Sequence, residues 1–172
     1  MSGADSQGSG ERRGELGGDE FWTAAEGRTG ETIVGISTAV GSGAVGIVRV
    51  SGPKAMSLAR SAFRAPGGRE ILPDETFSLV YGHVVEPGTD EVIDEALLAT
   101  MRGPRSYTRE DVIELQCHGG AAAVRAVLGL MVRLGARIAE PGEFTRRAFL
   151  NGRIDLAQAE SVAGIVAARS RA

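Results

Sequence analysis

Apolar and polar residues alternate in several short stretches of this chain, and the clearest stretch is Val112–His118. In an extended segment, successive side chains point to opposite faces. One face of this stretch is therefore apolar, with Ile113, Leu115 and Cys117. The other face carries Val112, Glu114, Gln116 and His118, so a carboxylate, an amide and an imidazole follow one another along it. The pattern predicts a strand with one face for a core and one for chemistry.

The same reasoning predicts further strands from runs rich in β-branched residues. They are Thr32–Ala39, Val45–Val50, Phe77–Val85, Val92–Met101 and a short one at Ala136–Ala139. The glycine-rich loop GSGAVG joins the first two, and the Pro87–Asp90 turn joins the next two.

Four helices are predicted, two between these strands and two after the last of them, each from its end signals or its apolar stripe. Ser51 is a plausible N-cap, with Pro53 just inside a helix that runs to about Phe63. Gly119-Gly120 opens a second helix with one apolar stripe, formed by Val124, Val127, Leu128 and Met131. A short helix spans Glu143–Leu150 and ends at Asn151-Gly152, and a last one follows Asp155 as N-cap, with Gln158 at the capping-box position. The mixed order of elements favours an α+β fold with a mixed sheet and packed helices.

Three segments are expected along the 172 residues. Residues 1–30 are rich in glycine and charge and poor in large apolar groups, which predicts a disordered tail. Residues 31–152 form the main domain, and residues 153–172 begin a further helical part that is cut short. In the last helix Leu156, Ala159, Val162, Ala163 and Val166 share a stripe that Ile165 widens, so we expect apolar surface there that is exposed or buried by self-association.

Composition excludes only a few classes of function. The formal net charge of -3 gives no overall electrostatic footprint for nucleic acid. The single cysteine, Cys117, excludes an intramolecular disulfide framework and suits a reducing cytoplasm, and no apolar run is long enough to span a bilayer. We therefore expect a cytoplasmic protein without a membrane partner.

Several apparent motifs do not indicate a nucleotide or metal site when their context is considered. Gly41-x-Gly43-x-x-Gly46 matches the dinucleotide fingerprint, but a strand-like segment follows it and the expected acidic residue about 20 positions on is missing. The chain has no G-x-x-x-x-G-K-[ST] motif, so we expect it to bind no guanine nucleotide. His83, Cys117 and His118 are its only imidazole and thiol ligands, and their placement does not suggest a metal site.

Two isolated charges of opposite sign, Arg49 and Glu114, stand out because each lies within an apolar strand. A carboxylate in such a strand must face solvent or meet donors, since burying it unpaired is very costly. The two side chains either form a simple pair, or hold a flat polar ligand between them, or belong to a solvated sheet face.

Three longer motifs resemble the N-terminal domain of the MnmE (TrmE) family of tRNA-modification GTPases. They are TIVGISTAVGSGAVGIVRVSG, GPRSYTREDVIELQCHGG and PGEFTRRAFLNGRIDLAQAE, in that order and with similar spacing. The resemblance covers residues from about 31 to the C-terminus. It implies a folate-binding fold similar to the tetrahydrofolate domain of the glycine-cleavage aminomethyltransferase, a ligand of the 5-formyltetrahydrofolate type, and homodimerisation.

By motif, the family's folate contacts fall on Arg49, Glu114 and Arg153. A pterin edge presents a ring N–H beside an amino group, which suits a carboxylate, and arginines suit carbonyl oxygens and the glutamate carboxylates. Arg109 stands where the family usually has glycine, so Arg109 strains that turn if the turn needs a positive φ.

The resemblance implies a tetrahydrofolate-binding and dimerisation module of a GTPase that modifies C5 of the wobble uridine, U34, of tRNA. The family works with an FAD-dependent MnmG-type partner, and its GTP, Mg²⁺ and K⁺ sites lie in a GTPase domain that is absent here. The module alone is then a binding unit and not a catalyst. The alternatives are a stand-alone folate-dependent aminomethyltransferase-like protein and a truncation that only dimerises.

Overall fold

The computed structural model describes residues 30–39, 43–71 and 76–167. It contains seven strands, namely β1 (Ile33–Ile36), β2 (Val45–Ser51), β3 (Phe63–Arg64), β4 (Ser78–Val85), β5 (Val92–Met101), β6 (Val112–His118) and β7 (Arg137–Ile138). Four α-helices accompany them, namely α1 (Ala55–Ala62), α2 (Ala121–Arg133), α3 (Glu143–Leu150) and α4 (Leu156–Ala167). A short 3₁₀ helix spans Pro66–Gly68.

The seven strands form one mixed sheet in the order β3-β4-β5-β6-β2-β1-β7. All neighbouring strands are antiparallel except β1 and β7, which are parallel. The strands β2 and β6, which carry Arg49 and Glu114, are paired along their whole length near the middle of the sheet. The predicted α+β class with a mixed sheet is confirmed.

The main core lies on the face of the sheet that α1 and α2 cover. Side chains of β2 and β6 that point to this face are fully buried there, including Val48, Val50, Ile113 and Leu115. Gly46 belongs to β2, not to the preceding loop, and a Cβ at this position would come within 2.3 Å of the Val124 side chain. The α2 helix can approach the sheet closely because Gly46 has no side chain.

On the opposite face, which we call the second face, α3 covers only the β1 end of the sheet. Ile33 and Ala148 are buried there, and the ring of Phe144 lies beside Gly35. Farther across, large apolar side chains remain exposed, namely Val45, Leu79 and Tyr81. The second face is thus half covered, and Arg49 and Glu114 lie on it near the boundary.

Most predicted elements are confirmed, with shifted ends. The first strand is shorter than predicted, at Ile33–Ile36, and β4 begins at Ser78 because Phe77 has a φ of 61°. The prediction that Ser51 caps α1 is wrong, since Ser51 ends β2, its hydroxyl bonds to other residues, and Lys54 occupies the cap position. A strand that lasts one residue longer than its β-branched run explains the error.

The predicted start of the last helix is confirmed by a reciprocal capping box. The Asp155 backbone N–H donates to Gln158 Oε1 at 3.0 Å, and the Gln158 N–H donates to Asp155 Oδ1 at 2.8 Å. Leu156 and Ile165 on this helix are exposed. The side chains of Ala163 and Val166 lie outside the described residues, and so do residues 1–29 of the predicted tail.

Among the described residues, no helix combines the length and apolar character needed to cross a membrane.

Candidate functional site

One row of directly opposed residues crosses the second face from β1 to β4. The strand registers place Gly35 opposite Arg49, Arg49 opposite Glu114, Glu114 opposite Ala99, and Ala99 opposite Leu79. Two small residues therefore flank the charged pair, one on each side. Small neighbours leave the pair accessible from above the sheet unless another element fills the space.

The Arg49 and Glu114 side chains form an ion pair with an unusual geometry. Arg49 Nε and Nη2 each lie 2.8 Å from the same oxygen, Glu114 Oε1. The arginine side chain is 28% exposed and the glutamate side chain 14%. Among the described residues, the other oxygen of Glu114, Oε2, has no hydrogen-bond partner. Every buried side-chain nitrogen or oxygen there does have a partner, so Oε2 is not buried and is accessible from outside.

Phe144 fills the space on the Gly35 side of the pair. The guanidinium carbon of Arg49 lies 5.6 Å from the centre of the Phe144 ring, within the range of a cation–π contact. A Cβ on Gly35 would come within 3.1 Å of Phe144 Cε2 and 3.6 Å of Ala139 Cβ. The ring therefore occupies the place that a side chain at residue 35 would take, whereas the Ala99 side of the pair has only a methyl group.

A polar cluster lies one row along the same face and fixes α3 to the sheet. The Ser51 hydroxyl donates to Glu110 Oε2 at 2.6 Å and lies 2.7 Å from Thr108 Oγ1, which must then be the donor. Arg147 Nη1 donates to both oxygens of Glu110 at 3.1 Å and to the Glu31 carbonyl at 2.8 Å. This cluster connects α3 to β2 and to the loop before β6.

Glu143, at the first turn of α3, extends this network and is only 1% exposed. Its carboxylate accepts hydrogen bonds from Arg137, Arg147 and the Glu140 backbone N–H. Burial by itself would raise the pKa of Glu143, but these hydrogen bonds outweigh it and lower the pKa to about 2. The Glu143 hydrogen bond raises the pKa of Arg137 above its ordinary value, so both groups are charged at neutral pH.

The third predicted contact, Arg153, lies in the turn between α3 and α4, and the structure does not bring it to the Arg49–Glu114 pair. Its backbone N–H donates to the Ala148 carbonyl at 2.8 Å, and its side chain is exposed. No hydrogen bond or ion pair between the Arg153 side chain and the pair occurs among the described residues. The structure thus joins Arg49 to Glu114 and leaves Arg153 just beyond the end of α3.

Arg109 adopts a φ of 62°, so the turn does need a positive φ and Arg109 is strained there. Its Nη1 donates to the Asn151 carbonyl at 3.3 Å, and the Asn151 amide donates to the Thr108 carbonyl at 2.6 Å. The two hydrogen bonds run in opposite directions and join the loop before β6 to the turn that carries Arg153.

At the far end of β6, His118 is fixed by Asp94. The Asp94 carboxylate accepts from the His118 backbone N–H at 2.9 Å and lies 2.7 Å from ring Nδ1. The hydrogen bond to Asp94 raises the pKa of His118. Cys117, as predicted, points into the core, and burial raises the pKa of its thiol.

No group of three or more histidine, cysteine, aspartate or glutamate side chains is arranged to hold a metal ion within the part of the chain that the structure describes.

Sequence reasoning missed the role of Phe144 because a lone aromatic residue in a short helix carries no signal of what it covers. The Glu143–Arg147 spacing of four residues was a visible signal for an ion pair on one helix face.

The geometry defines a small α+β domain with a charged pair on a half-covered sheet face. Residues 32–153 match the family model described as the GTP-binding protein TrmE N-terminus. The chain belongs to this family.

Curated relatives of this chain support the same family assignment. The chain is 51% identical over 142 residues to the tRNA modification GTPase MnmE of Desulforamulus reducens. The aligned region covers 83% of this chain and 31% of the relative. It is 49% identical to MnmE of Bacillus subtilis and 56% identical to MnmE of Symbiobacterium thermophilum, each over 140 residues, 81% of this chain and 30% of the relative. This chain therefore spans about a third of the length of these relatives. The alternative of a stand-alone aminomethyltransferase-like protein is not favoured.

Proposed function

We propose that this chain is the tetrahydrofolate-binding and dimerisation module of a tRNA-modification GTPase. The observation that carries the proposal is the Arg49–Glu114 pair, because both residues fall at the family's folate-contact positions and are joined on the open face of the sheet. A buried structural pair would be expected to satisfy both carboxylate oxygens. Here one oxygen is accessible, which suits a pair that also binds a ligand.

The pterin ring of a 5-formyltetrahydrofolate-type ligand suits this pair. Its edge carries a ring N–H beside an amino group, and Glu114 Oε2 accepts one of these donors. Oε1 already faces two donors of Arg49, Nε and Nη2, which engage its two lone-pair sites, so Oε2 is the oxygen left for the ligand. Arg49 Nη1 remains a donor for a carbonyl oxygen on the ligand. The small Ala99 next to Glu114 leaves room for a flat ring over β5.

Arg153 is proposed as the contact for a more distant, anionic part of the ligand. It lies beyond the end of α3, is exposed, and makes no hydrogen bond or ion pair with Arg49 or Glu114. Folate is a long molecule with carboxylates at the end opposite the pterin ring, and arginine binds carboxylates in bidentate fashion. An extended ligand is therefore required for both parts of the site to take part.

The exposed apolar residues of the second face and of α4 support self-association as a homodimer. Large apolar side chains remain uncovered on both surfaces, among them Leu79, Tyr81, Leu156 and Ile165. Contiguous apolar surface on a monomer commonly marks a contact with another protein. The closed two-fold dimer is the commonest outcome when the contact is with a second copy.

The activity proposed for the whole protein is the modification of C5 of the wobble uridine, U34, of tRNA. An FAD-dependent MnmG-type enzyme is the proposed partner, tRNA is bound by the complex, and the setting is the cytoplasm. GTP, Mg²⁺ and K⁺ belong to a GTPase domain that the residues of this chain do not supply. The role proposed for this chain is to hold the folate that provides the one-carbon unit.

Calorimetric titration with 5-formyltetrahydrofolate tests the proposal. Glu114→Ala should weaken binding by roughly 2–5 kcal/mol, since it removes a charged contact and leaves Arg49 unpaired. Glu160→Gln, an exposed carboxylate on α4, is the control and should bind as the unaltered chain does. Equal affinities for the unaltered chain and the Glu114 variant would contradict the assignment. GTP turnover by a clean preparation would contradict the module interpretation.

A further inference from the structure

We infer that Phe144 is a positioning residue that holds the Arg49 guanidinium on one oxygen of Glu114 and so keeps the other oxygen open for a ligand. The inference rests on the proposed function for its biological meaning. Its structural part, the control of the Arg49–Glu114 geometry by an aromatic ring on α3, can be tested without any ligand.

The observed geometry is not the one that an arginine and a carboxylate adopt most readily. A guanidinium and a carboxylate commonly meet in two parallel hydrogen bonds, one to each oxygen. Here Nε and Nη2 both meet Oε1 at 2.8 Å, and Oε2 stays accessible. Something must therefore keep the guanidinium from turning onto both oxygens, which would occupy the acceptor that a ligand needs.

Phe144 is in the right place to do so. Its ring centre lies 5.6 Å from the guanidinium carbon, on the side of the pair where the neighbouring strand has Gly35. A planar cation over an aromatic face is attracted to it and loses freedom to rotate. No side chain from β1 competes for the position, because residue 35 is a glycine and the ring occupies its space.

The ring itself is held by the strand that it packs on and by its own helix. A Cβ at residue 35 would lie only 3.1 Å from Phe144 Cε2, so the ring packs closely against Gly35. The residue before it, Glu143, is buried in the ion network, and Arg147 one turn later binds Glu110. These contacts fix α3 on the sheet, so the position of Phe144 is determined by the fold and not by the pair that it touches.

The ligand-free test uses the Arg49 Nε–H resonance in nitrogen-15 NMR spectra of the whole chain. A proton held over a ring face is shifted upfield, and one held in a hydrogen bond exchanges slowly with water. Phe144→Leu should move this resonance downfield and speed its exchange. Phe149→Leu, the same substitution on the same helix, should leave it in place. An Arg49 resonance that Phe144→Leu leaves unchanged would overturn the inference, whatever the ligand proves to be.

The binding test is a double-mutant cycle with 5-formyltetrahydrofolate as the probe. Phe144→Leu should weaken binding about tenfold when Arg49 is present. In the background of Arg49→Lys, which keeps the charge but has no planar group to stack, the same change should have little further effect. Equal effects in both backgrounds would overturn the inference. If the unaltered chain fails to bind the probe at all, the proposed function fails, and the NMR result still decides whether Phe144 positions Arg49.

Gly35→Ala provides a second variant in case Phe144→Leu does not fold. It adds one methyl group at 3.1 Å from the ring, so Phe144 must shift by a few tenths of an ångström. The Arg49 resonance should then move without loss of the fold. Gly129→Ala on α2, where an added Cβ meets only an arginine side chain at 3.7 Å, is the matched control. A Gly35→Ala spectrum identical to the control at Arg49 would also count against the inference.

Discussion

Arg49 and Glu114 lie directly opposite each other on β2 and β6, yet the arginine contacts only one of the two carboxylate oxygens. The pair is partly buried on a sheet face that α3 covers on one side and leaves open on the other. An ion pair that served packing alone would gain by using both oxygens. The open oxygen is therefore the place where we propose that a ligand contributes the missing hydrogen bond.

Ala99→Leu should block this place without breaking the pair. Ala99 lies opposite Glu114 on β5, on the side that Phe144 does not cover, so a larger side chain fills the space proposed for a flat ring. We expect affinity for 5-formyltetrahydrofolate to fall about tenfold or more, whereas stability changes by less than about 1 kcal/mol because the site faces outward. Calorimetry and urea unfolding measure the two effects. Ala122→Leu on the exposed side of α2 is the control, and unaltered binding by Ala99→Leu would place the ligand elsewhere.

The strands that carry the pair could be predicted because their periodicity is strong. Alternation along Val112–His118 placed Glu114 and Cys117 on opposite faces, and the structure confirms both. The opposition of Arg49 and Glu114, by contrast, depends on a register between strands 65 residues apart in the chain. A single sequence does not encode that register in any local pattern.

The contacts of α3 were harder to predict for a different reason. The helix was predicted correctly at Glu143–Leu150, but its partners are Glu31, Glu110 and Arg137, which come from three separate segments. Ser51 shows the same limit, because its hydroxyl had a plausible local role as a cap and instead bonds to Thr108 and Glu110. Tertiary hydrogen bonds overrode local preference at both places.

Glu143→Gln should destabilise the domain and flatten its acid sensitivity. The pKa of Glu143 is lowered to about 2 in the folded protein, below its ordinary value of 4.5. The charged carboxylate therefore stabilises the fold above about pH 4.5, and this stabilisation is lost as the pH falls toward 2. At neutral pH the variant should lose about 3 kcal/mol, since Arg137 and the buried Arg147 each lose one charged partner. Urea unfolding from pH 6 to pH 2 measures both, with Glu160→Gln as the exposed control. A variant that kept the same pH dependence would show that Glu143 is not the group responsible.

His118 should titrate above its ordinary pKa of 6.5, because Asp94 binds its ring. Protonated His118 is favoured in the folded state, so its contribution to stability is complete below about pH 6.5 and disappears as the pH rises through the higher folded value. NMR titration of the ring proton signal gives the pKa directly. Asp94→Asn should lower it toward the ordinary value, and a pKa that the substitution does not change would mean that the pair is not formed in solution.

Arg109→Gly should be more stable than Arg109→Ala by about 1 kcal/mol. The residue has a φ of 62°, a conformation that costs a side-chain-bearing residue more than glycine, and both variants lose the same 3.3 Å hydrogen bond to Asn151. The comparison of the two variants isolates the backbone term, because neither retains the guanidinium. Thermal or urea unfolding of the two variants measures this difference in stability. Alanine as stable as glycine here would mean that the turn relaxes to a negative φ in solution.

The chain should self-associate through the apolar surface of α4. Ile165 is 74% exposed on this helix, and Leu156 at its first residue is exposed too, so the helix presents apolar groups that a single copy leaves in water. Light scattering on a size-exclusion column should give a dimer for the unaltered chain. Ile165→Asp should shift the population toward monomer, because burying an unpaired carboxylate in an apolar contact is costly. Leu79→Asp makes the same change on the other exposed apolar surface, the second face of the sheet, and should leave the dimer intact. A dimer that Leu79→Asp disrupts and Ile165→Asp does not would move the interface to the sheet, beside the Arg49–Glu114 pair. An unaltered chain that stays monomeric at high concentration would refute self-association itself.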